Sequence, residues 1–137
     1  LYTDNPTANE SALMMTPTQV KQLSEAGVTI GGHTHNHPIL KGMSEQDCHQ
    51  EILQNKSLLE EWIDMPVNLF AYPNGRPSVD YDGKTVDIVK DMGFKCAVST
   101  EWGIATPNAD FMQLKRFTPW DDHAWKFHLR MLVNTVK

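Results

Sequence analysis

The sequence predicts an α/β domain built on parallel strands. Three observations predict it. Amphipathic stretches alternate with short apolar runs through most of the 137 residues, the pattern of β/α units. The amphipathic stretches open on helix-capping signals or close on glycine. The segments "GGHTHNHP", "YPNGRP" and "TEWGIATPN" each follow a predicted strand, and in parallel α/β folds the loops leaving the C-terminal ends of strands collect the functional groups.

The elements follow in chain order. Thr16, Pro17 and Gln19 supply an N-cap, a first-position proline and the third-position partner of a capping box. A helix is expected from Pro17 to Ala26, ending at Gly27. "VTIGG" then reads as a strand that delivers the chain to His33. "SEQD" at 44–47 is a second capping box, and Cys48, Ile52, Leu59 and Trp62 fall on one helical stripe, which predicts a helix over Glu45 to Ile63. "PVNLFAYPNG" is an apolar strand closed by turn residues. A helix from Lys84 to Met92 stops at Gly93, "FKCAVS" is the next strand, and "FMQLKRF" a fourth. Asp121 or Asp122 is expected to cap a last helix carrying Trp125, Leu129 and Leu132 on one side.

Composition fits a single folded domain over residues 1–137. The chain is 40% hydrophobic and 21% charged, near the averages for globular proteins, and it shows no repeats or low-complexity tracts. Seventeen acidic against twelve basic residues give a net charge of −5. With no basic cluster anywhere, nucleic acid is not expected as a partner. No run approaches the roughly 18 apolar residues of a membrane span. Cys48 and Cys96 are too far apart for a CxxC pattern and read as two buried thiols.

His33, His35 and His37 place three of six histidines within five residues, after two glycines that permit close backbone approach. Neutral imidazole is a common zinc ligand, and two from one segment reach one ion if the backbone turns between them. His33 and His37 have the i, i+4 separation that achieves this, although Pro38 keeps the turn from continuing as a helix. An extended segment would instead put all three on one face. Spacing alone does not choose. Taken singly, His35 reads as a bystander.

This segment resembles the second motif of the polysaccharide deacetylase family, the NodB-homology or carbohydrate esterase family four proteins. That motif is His, Ser or Thr, two variable residues, then His. "LSEAGVTIGG" before it and "PILKGMSEQD" after it are also similar to the family, and the likeness runs from about Met15 to Phe117. It implies part of a distorted (β/α) barrel, a divalent metal, usually zinc, held by His33 and His37, and removal of N-acetyl groups from an N-acetylated glycan.

In the third family motif, Arg, any residue, Pro, Tyr, Gly, "FAYPNG" matches at Pro73 and Gly75. Ala71 stands in place of the arginine and Asn74 in place of the aromatic. The resemblance implies substrate binding by Tyr72, Pro73 and Gly75, with the Asn74 backbone N–H as oxyanion donor. It also places Trp102 at the acetyl pocket and Arg116 at the substrate groove. Of the late histidines, His123 is the candidate general acid; His128 is its neighbour on the same predicted helix.

The family's first motif, an Asp-Asp pair that supplies the base and a third metal ligand, does not precede His33. Asp4 in "YTDNP" stands too close to the histidines for that role. The resemblance therefore implies the C-terminal part of a deacetylase lacking its N-terminal strands, weak or inactive alone. An upstream segment or a second copy in a homo-oligomer would cover the open sheet edge. Two other functions fit the same residues: hydrolysis of small amides or ureides, and a non-catalytic metal- or glycan-binding module.

Overall fold

In the computed structural model, which describes residues 14–117 and 122–136, the capping signals become helix starts. Helix α1 spans Pro17–Glu25; Thr16 Oγ1 accepts from Gln19 N–H while Gln19 Oε1 accepts from Thr16 N–H, a complete capping box. Helix α2 spans Glu45–Ile63 with Ser44 as N-cap, and ends on Asp64 in the left-handed region, φ 54°. Helix α3, Gly83–Asp91, starts from Asp82, whose carboxylate accepts from Thr85 N–H. Helix α4, Ala124–Val136, opens with Phe127 N–H donating to His123 O, so His123 rather than Asp122 stands at its start. Asp121 lies outside the described residues.

Between the helices run parallel strands. β1 (Leu69–Ala71) pairs with β2 (Cys96–Val98) in the register Leu69↔Cys96, Phe70↔Ala97 and Ala71↔Val98. Gly32 joins the outer side of β1 and Leu114 the outer side of β2, each through a single parallel bridge. The sheet order is thus Gly32, β1, β2, Leu114.

Two expected strands are corrected to single bridges. In "VTIGG", the Val28 N–H is spent on Leu23 O in closing α1, so the ladder begins late. In "FMQLKRF", Asp110 takes the N–H of Met112 on its carboxylate and of Gln113 on its carbonyl. That local turn consumes donors a strand would use; the Phe111 carbonyl still accepts from Ala97 N–H, but Leu114 alone forms a bridge to β2.

Alternation then decides the core. Phe70 and Ala97 face the helices and join Ile52, Val67, Val89 and Phe94 in the buried cluster. Each large apolar side chain buried in this way contributes about 1.5–3 kcal/mol. Cys48 and Ile52 are buried and Leu59 and Trp62 partly so, as the stripe on α2 predicts. Leu69, Ala71, Cys96 and Val98 face the other way and are exposed or half-buried. Among the described residues no helix is long and apolar enough to cross a membrane.

Candidate metal centre

The parallel sheet brings the three loops to one end. The histidine segment leaves Gly32, "YPNG" leaves β1 and "TEWG" leaves β2. Glycine fits closely where Gly32 stands: a Cβ there would meet Asn55 Oδ1 at 3.1 Å and the Phe70 and Phe94 rings at 3.2 Å. Its N–H donates to Leu69 O at 2.8 Å and its carbonyl accepts from Ala71 N–H at 2.9 Å, which ties the start of the loop to β1.

His33 and His37 converge. Their ring centroids are 4.8 Å apart and the rings are nearly perpendicular, at 74°. His33 Nδ1 lies 2.7 Å from Ala71 O. A carbonyl oxygen only accepts, so Nδ1 carries a proton, and in the neutral ring the lone pair is left on Nε2, the arrangement a ligating imidazole needs.

Neither backbone geometry open at the sequence level is adopted. Thr34 and His37 have φ of 64° and 57°, a region costly for residues with a Cβ. Two left-handed residues turn the chain within five positions. His35 is carried away from the pair, and Gln54 Nε2 donates to its Nε2 at 3.2 Å. Thr34 is buried, its hydroxyl donating to His33 O at 2.5 Å.

Helix α2 holds the loop from one side. Asn55 Oδ1 accepts from His33 N–H at 2.9 Å; Glu51 accepts from Asn36 N–H at 2.9 Å and from Asn36 Nδ2 at 2.7 Å. Partial burial of Glu51 works against its charge, yet the Asn36 donors and nearby His35 hold its carboxyl below the usual range. The sequence reading missed Glu51 and Asn55. Their signal is polar residues at i and i+4 on α2, a spacing that shares one helical face.

The "YPNG" loop is positioned by its backbone. Asn74 has φ 55°, its carbonyl accepts from Thr100 Oγ1 at 2.7 Å, and Pro73 O accepts from Gly75 N–H at 2.6 Å. The Asn74 N–H donates to no described residue. Because the peptide is planar and trans, that N–H is directed opposite to the engaged Pro73 carbonyl. A Cβ at Gly75, φ 75°, would meet Tyr72 O at 3.0 Å and Thr100 N at 3.1 Å, so this position requires glycine.

Two expected substrate contacts are corrected. The Tyr72 side chain is fully buried; its ring stacks on Tyr81 at 3.8 Å and its hydroxyl donates to Met112 O at 2.9 Å. Pro73 is buried as well. Tyr72 lies two residues after the inward-facing Phe70 and so falls on the same face. Desolvation, with Tyr81 and Asp110 adding, pushes its phenol well above the ordinary value.

The remaining candidates lie at the exit of β2 and beyond. Trp102 is half exposed, with its ring 6.0 Å from that of Phe117. Arg116 Nε donates to Ser99 O at 2.6 Å, leaving the rest of an exposed guanidinium beyond that bond. His123 is exposed at the start of α4, and no described contact brings it to the imidazole pair. Among the described residues, no cluster of three His, Cys, Asp or Glu side chains could hold a metal. Beside His33, Leu69, Ala71, Cys96 and Val98 line an open, mostly apolar groove of about 270 Å³.

Comparison with known proteins agrees with this geometry. Residues 3–97 match the family model described as polysaccharide deacetylase. YxkH of Bacillus subtilis (strain 168), whose name places it among polysaccharide deacetylases, is 28% identical over 102 residues, covering 74% of this chain and 35% of that protein. The peptidoglycan-N-acetylglucosamine deacetylase of Bacillus cereus is 37% identical over 59 residues, covering 43% of this chain and 27% of its own length. The structure of Streptococcus pyogenes deacetylase PplD in complex with acetate superposes with a TM-score of 0.77 at 27% identity, over 88% of this chain and 52% of that one. The chain thus spans about half or less of the relatives it matches, and its sheet is part of the barrel they share. With the family model covering residues 3–97 and the paired histidines at the C-terminal end of the parallel strands, this chain belongs to the polysaccharide deacetylase family.

Proposed function

We propose that this chain contributes half of the active site of a metal-dependent hydrolase that removes N-acetyl groups from amino-sugar polymers or oligosaccharides. The observation that carries the proposal is the pair of imidazoles at 4.8 Å with the His33 proton fixed on Nδ1. Two neutral nitrogen donors suit a divalent cation of borderline softness, zinc first. A bound cation of this kind supplies Lewis acidity, polarising an amide carbonyl and making water a nucleophile near neutral pH.

This chain's own residues do the rest of what it offers. His33 and His37 hold the cation from one loop. The free Asn74 N–H, aimed out of its turn, receives the negative charge that develops on the acetamide oxygen. Gly75 and Thr100 fix that N–H by fixing the two carbonyls beside it. Trp102 and Arg116 form the rim against which the sugar lies.

The third ligand and the carboxylate base come from outside the described residues. Supporting this are the absence of a third ligand among those residues and the short span of the chain relative to its family. His123 is retained only as a residue to test for proton donation to the leaving amine.

The test is metal content and acetate release from N-acetylated oligosaccharides, in the longest polypeptide carrying this sequence and in the 137-residue chain. In the longer protein, His33→Ala and His37→Ala should each abolish tight metal binding and acetate release. The 137-residue chain should bind zinc weakly and turn over little. Unchanged metal and activity in both variants would end this proposal.

One observation favours a second function: no described carboxylate joins the histidines. A non-catalytic glycan- or metal-binding module would show ligand-induced thermal stabilisation with no acetate formed. Small amides run alongside the oligosaccharides separate the remaining substrate class.

A further inference from the structure

The loop that carries the imidazole pair is held in an unfavourable shape. Thr34 and His37 both have positive φ, 64° and 57°, and such residues persist only where their surroundings over-determine them. Here the surroundings are three polar residues, Glu51, Gln54 and Asn55, on the second and third turns of α2. Asn55 takes the amide of His33, Gln54 meets the ring of His35, and Glu51 grips Asn36 through both its backbone and its side chain. Residues 51, 54 and 55 share one helical face, so a single rigid element fixes the loop at its first, third and fourth positions. The ligand between the last of these and Pro38 is His37.

We propose that Glu51 and Asn55 are positioning residues for the metal centre: by clamping Asn36 and His33 to α2 they preassemble His33 and His37 before any cation arrives. The inference rests on the metal reading proposed above but reaches residues outside its motif. Glu51 is the more informative of the two. Its two oxygens take two donors from one residue, a charge-assisted pair, and Asn36 is joined covalently to His37. Loss of that grip frees the ψ of Asn36 and the φ of His37 together, so the second imidazole no longer has one place to be. Outer residues that orient metal-ligating histidines are typically worth about 10–100-fold in affinity.

The experiment uses the 137-residue chain, titrated with cobalt(II) and followed by its visible absorption, beside amide hydrogen exchange of the metal-free protein. Glu51→Ala should weaken cobalt binding by about 10–100-fold and speed exchange of the Asn36 amide at least tenfold, with the amides of α2 unchanged. Glu51→Gln keeps one acceptor for the Asn36 amide and should recover part of both effects. Asn55→Leu should deprotect the His33 amide in the same way.

Unchanged Asn36 exchange in Glu51→Ala, with unchanged cobalt affinity, would overturn the inference. Failure of the metal reading looks different: wild type and His37→Ala would give the same flat cobalt titration. The clamp would then be judged by exchange alone, protection lost in Glu51→Ala supporting it and protection kept rejecting it. If Glu51→Ala fails to fold, Glu51→Gln and Asn55→Leu carry the same two readouts.

Discussion

Tyr72→Phe removes one oxygen atom from the centre of the protein and leaves the ring in place. In the folded chain that oxygen donates to Met112 O at 2.9 Å, and the ring stacks on Tyr81 with centroids 3.8 Å apart and planes within 9°. The stack survives the substitution; the Met112 carbonyl loses its described donor. Leaving a buried acceptor unpaired costs about 1–3 kcal/mol, and because this bond is only partly buried the lower half of that range, about 1–2 kcal/mol, is expected. In urea, with a slope of about 1–3 kcal/mol/M, the unfolding midpoint should fall by about 0.3–2 M at unchanged slope.

Tyr81→Phe is the matched control. Among the described residues, Tyr81 Oη is buried without a partner of good hydrogen-bond geometry, its nearest polar neighbour being Ser99. Removing it should be neutral or stabilising. A core role for Tyr72 further requires that Tyr72→Phe leave the proposed metal and glycan affinities where they are measured for the wild type. An unchanged urea midpoint together with lost glycan affinity would refute the core placement and return Tyr72 to the substrate groove.

Two further perturbations read pH. Hydrogen bonds from the Arg76 side chain, opposed by burial and joined by the Arg76 N–H, hold the Asp80 carboxyl below its ordinary value. A depressed folded pKa gives stability that is complete above the unfolded value, about 3.9, and is lost as pH falls through the folded one. Thermal midpoints of wild type and Asp80→Asn should therefore differ above about pH 4 and converge below it; parallel curves would reject the pairing. Burial, with Asp82 adding and a Thr85 hydrogen bond opposing, pushes the Cys48 thiol up to about 11. Its stabilisation is complete below the ordinary thiol value of about 8.5 and is lost as pH rises toward 11. In the native chain a disulfide reagent should label half-buried Cys96 first and Cys48 only on unfolding, which mass spectrometry of the labelled peptides checks.

What was legible in the sequence was what local chemistry decides. Thr16 with Gln19, Ser44 with Asp47, and Gly93 mark helix ends because caps are satisfied within three or four residues. The convergence of His33 and His37 was legible because both lie in one short loop. Its backbone was not, since nothing in "HTHNH" announces that Thr34 and His37 take left-handed conformations; that choice is made by α2, more than a dozen residues away in the chain. Tyr72 was misplaced for a different reason. Its neighbour Asn74 belongs to the loop, but Tyr72 still keeps the strand's alternation with Phe70, and motif adjacency concealed a period of two. "FMQLKRF" was shortened because Asp110, just outside the apolar run, competes for its backbone donors.

The two shortfalls of the described chain lie on the same side of the sheet. One is chemical: the imidazole pair has no carboxylate beside it among the described residues. The other is physical: Leu69, Ala71, Cys96 and Val98 line an open groove that also touches His33, an apolar surface that burial would turn into about 25 cal/mol of stability per Å². Gly32 pairs with β1 on one side only, so its outer edge can accept a further strand. In a parallel sheet neighbouring strands finish at the same end, and a strand added there would release its next residue level with His33.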